Sequence, residues 1–328
     1  MRTWQIAAGA GAVVIASIYL FNASWLAPLP EGRPILIAQR GVHQVYNPKG
    51  VDNNTCTATR IPPPTHAFID NTIPSIAAAF DDGADVVEID IRQTKDGEFV
   101  LFHDFGLDCR TNGNGLVIAH TLGELKELDV GYGYTADGGR TYPLRGKGIG
   151  LMPSLQEALR AFPAKHFLIQ LKDGDPQVAD SLVQYLSARG IADWQRLSFF
   201  GNKMAVQRLA MLQPRARTWY DKKLVACTAN YLVMGWIGYV PDSCRNGTIV
   251  VPIKLRYLMW GWPNRFLERM RGDNVMVLMV GDLGKSEFTR VDLPSQLREL
   301  PAKFDGAIWT DHIEAVGPAA RSRWPAQP

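Results

Sequence analysis

Two carboxylates, Glu88 and Asp90, stand two residues apart in the apolar run Val86-Val87-Glu88-Ile89-Asp90-Ile91. On a strand their side chains point the same way, and the flanking residues predict that this face is nearly buried. Two negative charges there are costly unless a cation lies between them. An all-oxygen pair suits Mg²⁺ or Ca²⁺ rather than zinc. Arg40 and Lys172, each closing another apolar run, add positive charge of the kind that holds a phosphate. His103, in Phe102-His103-Asp104, can move protons near neutral pH. Together these residues point to metal-assisted cleavage of a phosphodiester. Singly, each has a plainer reading: Glu-x-Asp as a solvated or salt-bridged pair, His-Asp as a structural hydrogen bond, Arg40 as a surface charge. The stretch ILIAQRGVHQ (35–44) raises a difficulty, because Gln39 ends a strand-like run yet cannot exchange a proton at neutral pH.

The elements that must position these groups alternate along the chain. PILIA, DVVEIDI, EFVLFHD, HFLIQLK, RLSFFG, RARTWY, TIVVPI, NVMVLMVGD and GAIWTD read as strands. NTIPSIAAAFDDGA reads as a helix that starts at Asn71 or Thr72 and stops before Gly83, with Pro74 in its first turn. TLGELKELD, PSLQEALRAF and a segment from about Pro176 to Arg189 are also helical in period. Alternation of this kind favours a parallel sheet. Roughly eight strands over about 290 residues suit an α/β fold of the (β/α)8 barrel type, whose site lies at the carboxyl ends of the strands. Those ends carry Gln39 and Arg40, Glu88 and Asp90, His103 and Asp104, Gln170 and Lys172, and Asp311 and His312.

The N-terminus differs in character. From Ile6 to Phe21 sixteen residues carry no charge, after Arg2; extended to Leu26 the run reaches about the length that spans a bilayer. Three readings stand open: an uncleaved transmembrane anchor, a cleaved secretory signal and a buried hydrophobic helix. The first two place the bulk of the chain outside the cytoplasm, with membrane attachment through the helix. The domain boundaries expected are 1–30 for this segment and its linker and 31–328 for the barrel. A formal charge of +3 and the lack of any basic run argue against nucleic acid as a partner. Four cysteines without a C-x-x-C pair argue against structural zinc. In an oxidising compartment they pair most simply as 56–109 and 227–244; four buried free thiols are the alternative.

The run NTIPSIAAAFDDGADVVEIDIRQTKDGEFVLFHDFGLDCRTNGNG resembles the core of the glycerophosphodiester phosphodiesterase family. The likeness lies in Asn-Thr opening a helix, Gly-Ala-Asp, E-x-D, T-K-D-G, His-Asp and Thr-Asn-Gly at matching spacing. FDGAIWTD resembles the family's closing strand, and MPSLQEAL the helix after its long loop. The resemblance implies a metal-dependent hydrolase of glycerophosphodiesters, acting on a small-molecule or lipid-derived substrate. It implies Glu88, Asp90 and Gln170 as metal ligands, His103 as acid/base, and Arg40 and Lys172 as phosphate contacts, with Gln39 beside them. It also implies that 131–150 is an insertion shaping access. Two positions depart from the pattern: Gln39 replaces the histidine of His-Arg-Gly, and Gln170 replaces the glutamate of Glu-x-Lys. The first removes a proton carrier, which typically costs a factor of about 10²–10⁴; the second weakens metal binding. His43 and His312 are candidate substitutes for the lost histidine, with local structural roles as the plainer alternative. The loop 46–66 is read as a cover over the pocket or a disulfide-tethered surface excursion. RYLMWGWPNRF (256–266) is read as a lining for an apolar group, or as core or a membrane-facing patch.

Overall fold

A computed structural model describes residues 3–51, 55–191, 193–282 and 288–325. The chain divides into two compact units. One comprises Leu36–Tyr220 and Thr310–Pro318; the other comprises Met1–Ile35, Asp221–Trp309 and Ala319–Pro328.

The first unit contains strands β1 (Ile35–Ala38, from Leu36 onward), β2 (Val86–Gln93), β4 (His166–Leu171), β5 (Leu197–Gly201) and β6 (Arg217–Trp219). They run parallel in the order β6-β5-β4-β2-β1. Helices α2 (Ile73–Asp81), α4 (Leu155–Ala161), α5 (Gln177–Ala188) and α6 (Lys203–Leu212) lie between them in sequence. α2 begins where the sequence predicts: Thr72 is its N-cap, Ser75 completes a capping box and proline occupies the first turn. The same reciprocal cap opens α3 (Leu122–Lys126) with Thr121 and Glu124, and α4 with Ser154 and Glu157.

One strand departs from expectation. EFVLFHD gives β3 (Phe99–Leu101), which pairs antiparallel with β2 through Arg92↔Val100 and is not one of the parallel strands. The Thr94–Gly97 turn is too short for a crossover helix, so the chain can only double back. His103 and Asp104 therefore follow a hairpin rather than a barrel strand. Beyond it, residues from three loops share a satellite core of Ala58, Ile61, Ile69, Leu107, Tyr134 and Leu144. Within 46–66, Cys56 is tethered to Cys109, and Ala58 and Ile61 pack into this core.

In the second unit β7 (Thr248–Pro252), β8 (Met276–Val280) and β9 (Ala307–Thr310) run parallel, with α8 (Asn264–Gly272) preceding β8. Cys227, in α7 (Asp221–Met234), pairs with Cys244. Of the aromatic stretch, Phe266 is buried against Tyr231 while Tyr257 and Leu258 are exposed. With eight parallel strands and helices interleaved in sequence, the described residues have the element order of a (β/α)8 barrel.

The expected membrane anchor is not supported. The N-terminal segment forms helix α1 (Thr3–Phe21), but no helix among the described residues is long and apolar enough to cross a membrane. Arg2 lies outside the described residues. The helix stops at Phe21 instead of continuing to Leu26. Asn22 turns its amide onto Ile18 O and Trp236 O, both at 2.8 Å. Arg269 donates to Phe21 O at 3.1 Å, a cation at the helix carboxyl end.

Candidate active site at the strand ends

Strand β1 delivers Gln39 and Arg40 through a tight turn. Gln39 N donates to Thr310 O at 2.9 Å. Arg40 and Gly41 then adopt φ of 53° and 80°. Only glycine fits at 41, because a Cβ there would lie 2.5 Å from Ser75 Oγ and 2.7 Å from the Ser75 backbone. Arg40 has no such freedom, and its left-handed backbone costs about 1–3 kcal/mol. Its contacts offset that strain. Arg40 N donates to Glu88 Oε2 at 3.2 Å, and Arg40 Nε lies 3.0 Å from Asp90 Oδ2.

Glu88 and Asp90 share one face of β2, and both are fully buried. Asp90 pairs in register with Gln170 on β4, which brings Lys172 Nζ to 3.0 Å from Asp90 Oδ1. Asn71, at φ 60°, clamps Asp90 from the other side. Its Nδ2 donates to Asp90 Oδ2 at 2.9 Å, and its Oδ1 accepts from Asp90 N at 3.0 Å. Burial alone would raise the Asp90 pKa, but Lys172, then Arg40, outweigh it and hold the carboxyl well below the usual range. Burial also opposes the Arg40 charge, yet Asp90 and Glu88 keep that guanidinium above its ordinary value. Lys172 is pushed down to about 8, by burial first and by its cationic neighbours Arg40 and Arg92, against the pull of Asp90.

His103 presents a neutral imidazole. Burial, Arg40 and Lys172 push its pKa down to about 3, against Asp90 and Asp104. Its Nδ1 lies 2.5 Å from Asp104 Oδ1. Arg110 helps to hold Asp104 below the usual carboxylate range, against burial. The ionised carboxylate can only accept, so Nδ1 donates and Nε2 keeps the lone pair. The backbone is fixed as well, since His103 O accepts from Arg92 Nη2 at 2.8 Å and Lys172 Nζ at 3.3 Å.

Arg40, Glu88, Asp90, His103, Gln170 and Lys172 are thus gathered in one unit, as the sequence predicts. The cation expected between the two acids meets competition from within the chain. Arg40 and Lys172 neutralise the acidic pair from within the chain, and both occupy Asp90. Gln170 brings no charge, and among the described residues no group of three His, Cys, Asp or Glu side chains could hold a metal. The donor set therefore suits Mg²⁺ or Ca²⁺ poorly. Gln39 is buried, and among the described residues its Oε1 has no hydrogen-bond partner. Of its proposed substitutes, His43 is buried with Nδ1 against Gly41 O at 3.3 Å, and His312 pairs with Glu314 at 2.9 Å. Sequence reading missed Asn71, Arg92 and Arg110 as parts of the site. Asn71 alone left a trace there, as the residue before a helix cap.

Comparison with known proteins converges on one family. Residues 59–219 match the model of the glycerophosphoryl diester phosphodiesterase family. A glycerophosphodiester phosphodiesterase of Bacillus subtilis is 37% identical over 124 residues, covering 36% of this chain and 41% of the relative. One from Caldanaerobacter subterraneus is 32% identical over 140 residues, covering 40% and 53%. The chain thus spans about half the length of these curated relatives. Among solved structures, a glycerophosphoryl diester phosphodiesterase domain from Mycobacterium tuberculosis superposes with a TM-score of 0.61 at 17% identity, covering 87% of this chain and 98% of that one. An Oleispira antarctica phosphodiesterase in complex with the product sn-glycerol-3-phosphate gives 0.57 at 19% identity, covering 88% and 96%. At these identities the structural likeness speaks to the fold.

Proposed function

We propose, from the premise that this chain belongs to the glycerophosphoryl diester phosphodiesterase family, that it hydrolyses glycerophosphodiesters. The observation that carries this reading is the meeting of Arg40, Lys172 and a neutral His103 around Asp90 at the strand ends. A diester's single negative charge would be held by the two cations, which Asp90 keeps in place and Glu88 orients through the Arg40 amide. His103 Nε2 takes a proton from water as its oxygen attacks phosphorus. The bond from phosphorus to the departing alcohol breaks, and that oxygen takes a proton back from His103. The products are glycerol phosphate and the free alcohol. Gln39 donates a hydrogen bond but moves no proton, so His103 serves both half-steps.

The substrate class is glycerol phosphodiesters derived from phospholipids, supported by the family and by the product in the Oleispira complex. No step is assigned to a divalent cation, because the donor set suits one poorly. Two disulfides support an extracytoplasmic location. Turnover of glycerophosphocholine and glycerophosphoethanolamine, with His103→Ala as control, tests the assignment. Glycerol phosphate released by the wild type and not by the variant is the expected result. A second reading, a binding protein for phosphodiesters, is favoured by Gln39 and Gln170. It would prevail if glycerol phosphate bound but no diester were cleaved.

A further inference from the structure

Behind His103 runs a chain of contacts that phosphate binding does not require. Arg110 is buried and uses its whole fork. Nε donates to Asp104 Oδ2 at 2.9 Å, Nη1 to Asp70 Oδ1 at 3.2 Å and to Tyr134 OH at 2.5 Å, and Nη2 to Thr57 Oγ1 at 2.6 Å. Asp104 passes the contact on through its other oxygen, 2.5 Å from His103 Nδ1. The disulfide Cys56–Cys109 sits at the far end, with Cα atoms 5.4 Å apart. Each of its cysteines is the immediate neighbour in sequence of a partner in the Thr57–Arg110 hydrogen bond. The backbone around Arg110 is equally fixed. Gly133 N donates to Arg110 O at 3.2 Å. A Cβ on Gly133 would fall 1.9 Å from Cys109 O, so the two loops meet as closely as backbone allows.

We propose that Arg110 is a positioning residue for His103, and that the Cys56–Cys109 disulfide holds Arg110 where it can act. A carboxylate shared between an imidazole and a guanidinium cannot rotate without breaking an ion pair. Asp104 is therefore locked, and with it the imidazole's Nδ1–H tautomer and ring plane. Bending the guanidinium away frees Asp104, and misplacing a reacting group by about 1 Å can cost 10²-fold in rate. The disulfide closes the loop that carries Thr57 onto the loop that carries Arg110, so the fork has a fixed anchor at each end. For its effect on turnover this inference rests on the hydrolase reading above. Its effect on the imidazole does not.

The test uses the full chain labelled with ¹⁵N at histidine, and compares wild type with Arg110→Gln, Thr57→Val, Cys56→Ser/Cys109→Ser and the control Cys227→Ser/Cys244→Ser. In wild type and control, the His103 ring nitrogens show one Nδ1–H tautomer. In Arg110→Gln and in the Cys56/Cys109 variant they show a tautomer mixture. There kcat falls about tenfold or more, with KM within about twofold. Combining the two changes costs no more than Arg110→Gln alone, as expected of groups acting in series. Thr57→Val moves both readouts the same way by less, and carries the test should Arg110→Gln not fold. An unchanged tautomer in Arg110→Gln or Thr57→Val overturns the proposal. So does an equal change in the Cys227/Cys244 control, or full additivity in the combined variant. Should wild type cleave no diester, the hydrolase reading fails while the tautomer spectra still decide this one.

Discussion

Replacing His103 by glutamine should make the protein lose less stability in acid. The imidazole's pKa is pushed down to about 3, first by burial and then by Arg40 and Lys172, whereas in the unfolded chain it titrates near 6.5. Between those values the unfolded chain binds one more proton at this site than the folded one. Stability therefore falls as pH falls through that window, by about 1.4 kcal/mol per unit. From pH 6.5 to 4.5 this amounts to about 3 kcal/mol, approaching 5 kcal/mol by pH 3. Asp104 stays ionised at pH 4.5 in both proteins, because Arg110 helps keep its carboxyl low, so its titration cancels in the comparison. Urea unfolding followed by tryptophan fluorescence at pH 7 and 4.5 measures the difference. Wild type should lose about 3 kcal/mol more than His103→Gln over that interval. Equal losses would show that His103 titrates alike in the folded and unfolded chain, and would refute the burial-driven depression of its pKa.

At the alkaline end, Lys172 is pushed down to about 8, and loss of its proton removes one of two phosphate-binding charges. The value of kcat/KM should fall as pH rises above about 8, and Lys172→Arg, charged throughout, should abolish that limb; an unchanged limb would implicate another group. Gln170→Glu places a third carboxylate beside Asp90 in the register Asp90↔Gln170. Calorimetry should show Ca²⁺ or Mg²⁺ binding at least about 100-fold tighter than in wild type, or about 2.7 kcal/mol, and equally tight binding by wild type would refute the poor fit argued for this donor set. Arg40→Met leaves Asp90 and Glu88 without their shared cation and should cost about 3–5 kcal/mol in urea unfolding. A loss below about 1 kcal/mol would mean that the pair is solvated.

What the sequence made legible is what repeats locally. The alternation in Val86–Gln93 places Glu88 and Asp90 on one buried face, and the cap at Thr72 opens α2 where it is expected. Both disulfides follow the simplest pairing. What stayed hidden are pairs set by register and by loops. Nothing in the sequence near Asp90 reveals that Gln170 lies opposite it. Arg110, Asp70, Tyr134 and Thr57 come from separate irregular segments with no periodicity to betray them. The hairpin that carries His103 looks like a barrel strand in sequence, because apolar runs do not report direction. The apolar N-terminus differs, since composition alone does not say where a helix stops, and the helix ends at Phe21.

The two glutamines are best understood together through charge. Glu88, Asp90, Arg40 and Lys172 sum to zero in a buried site, with both cations placed on Asp90. A glutamate at 170 would leave one negative charge over, and a divalent cation would then be needed before a phosphate could approach. With glutamine there, an incoming diester meets a balanced site whose two cations point toward Asp90. It must compete with Asp90 for them, and the neutral His103 adds no attraction. Binding of the anion is thus expected to be modest, and tighter at pH 7 than at pH 9, where Lys172 has lost its proton. Gln39 acts in the same direction, because unlike an imidazolium it adds no positive charge. With glutamine at both positions, affinity for a phosphodiester rests on Arg40 and Lys172, and the proposed turnover on one imidazole.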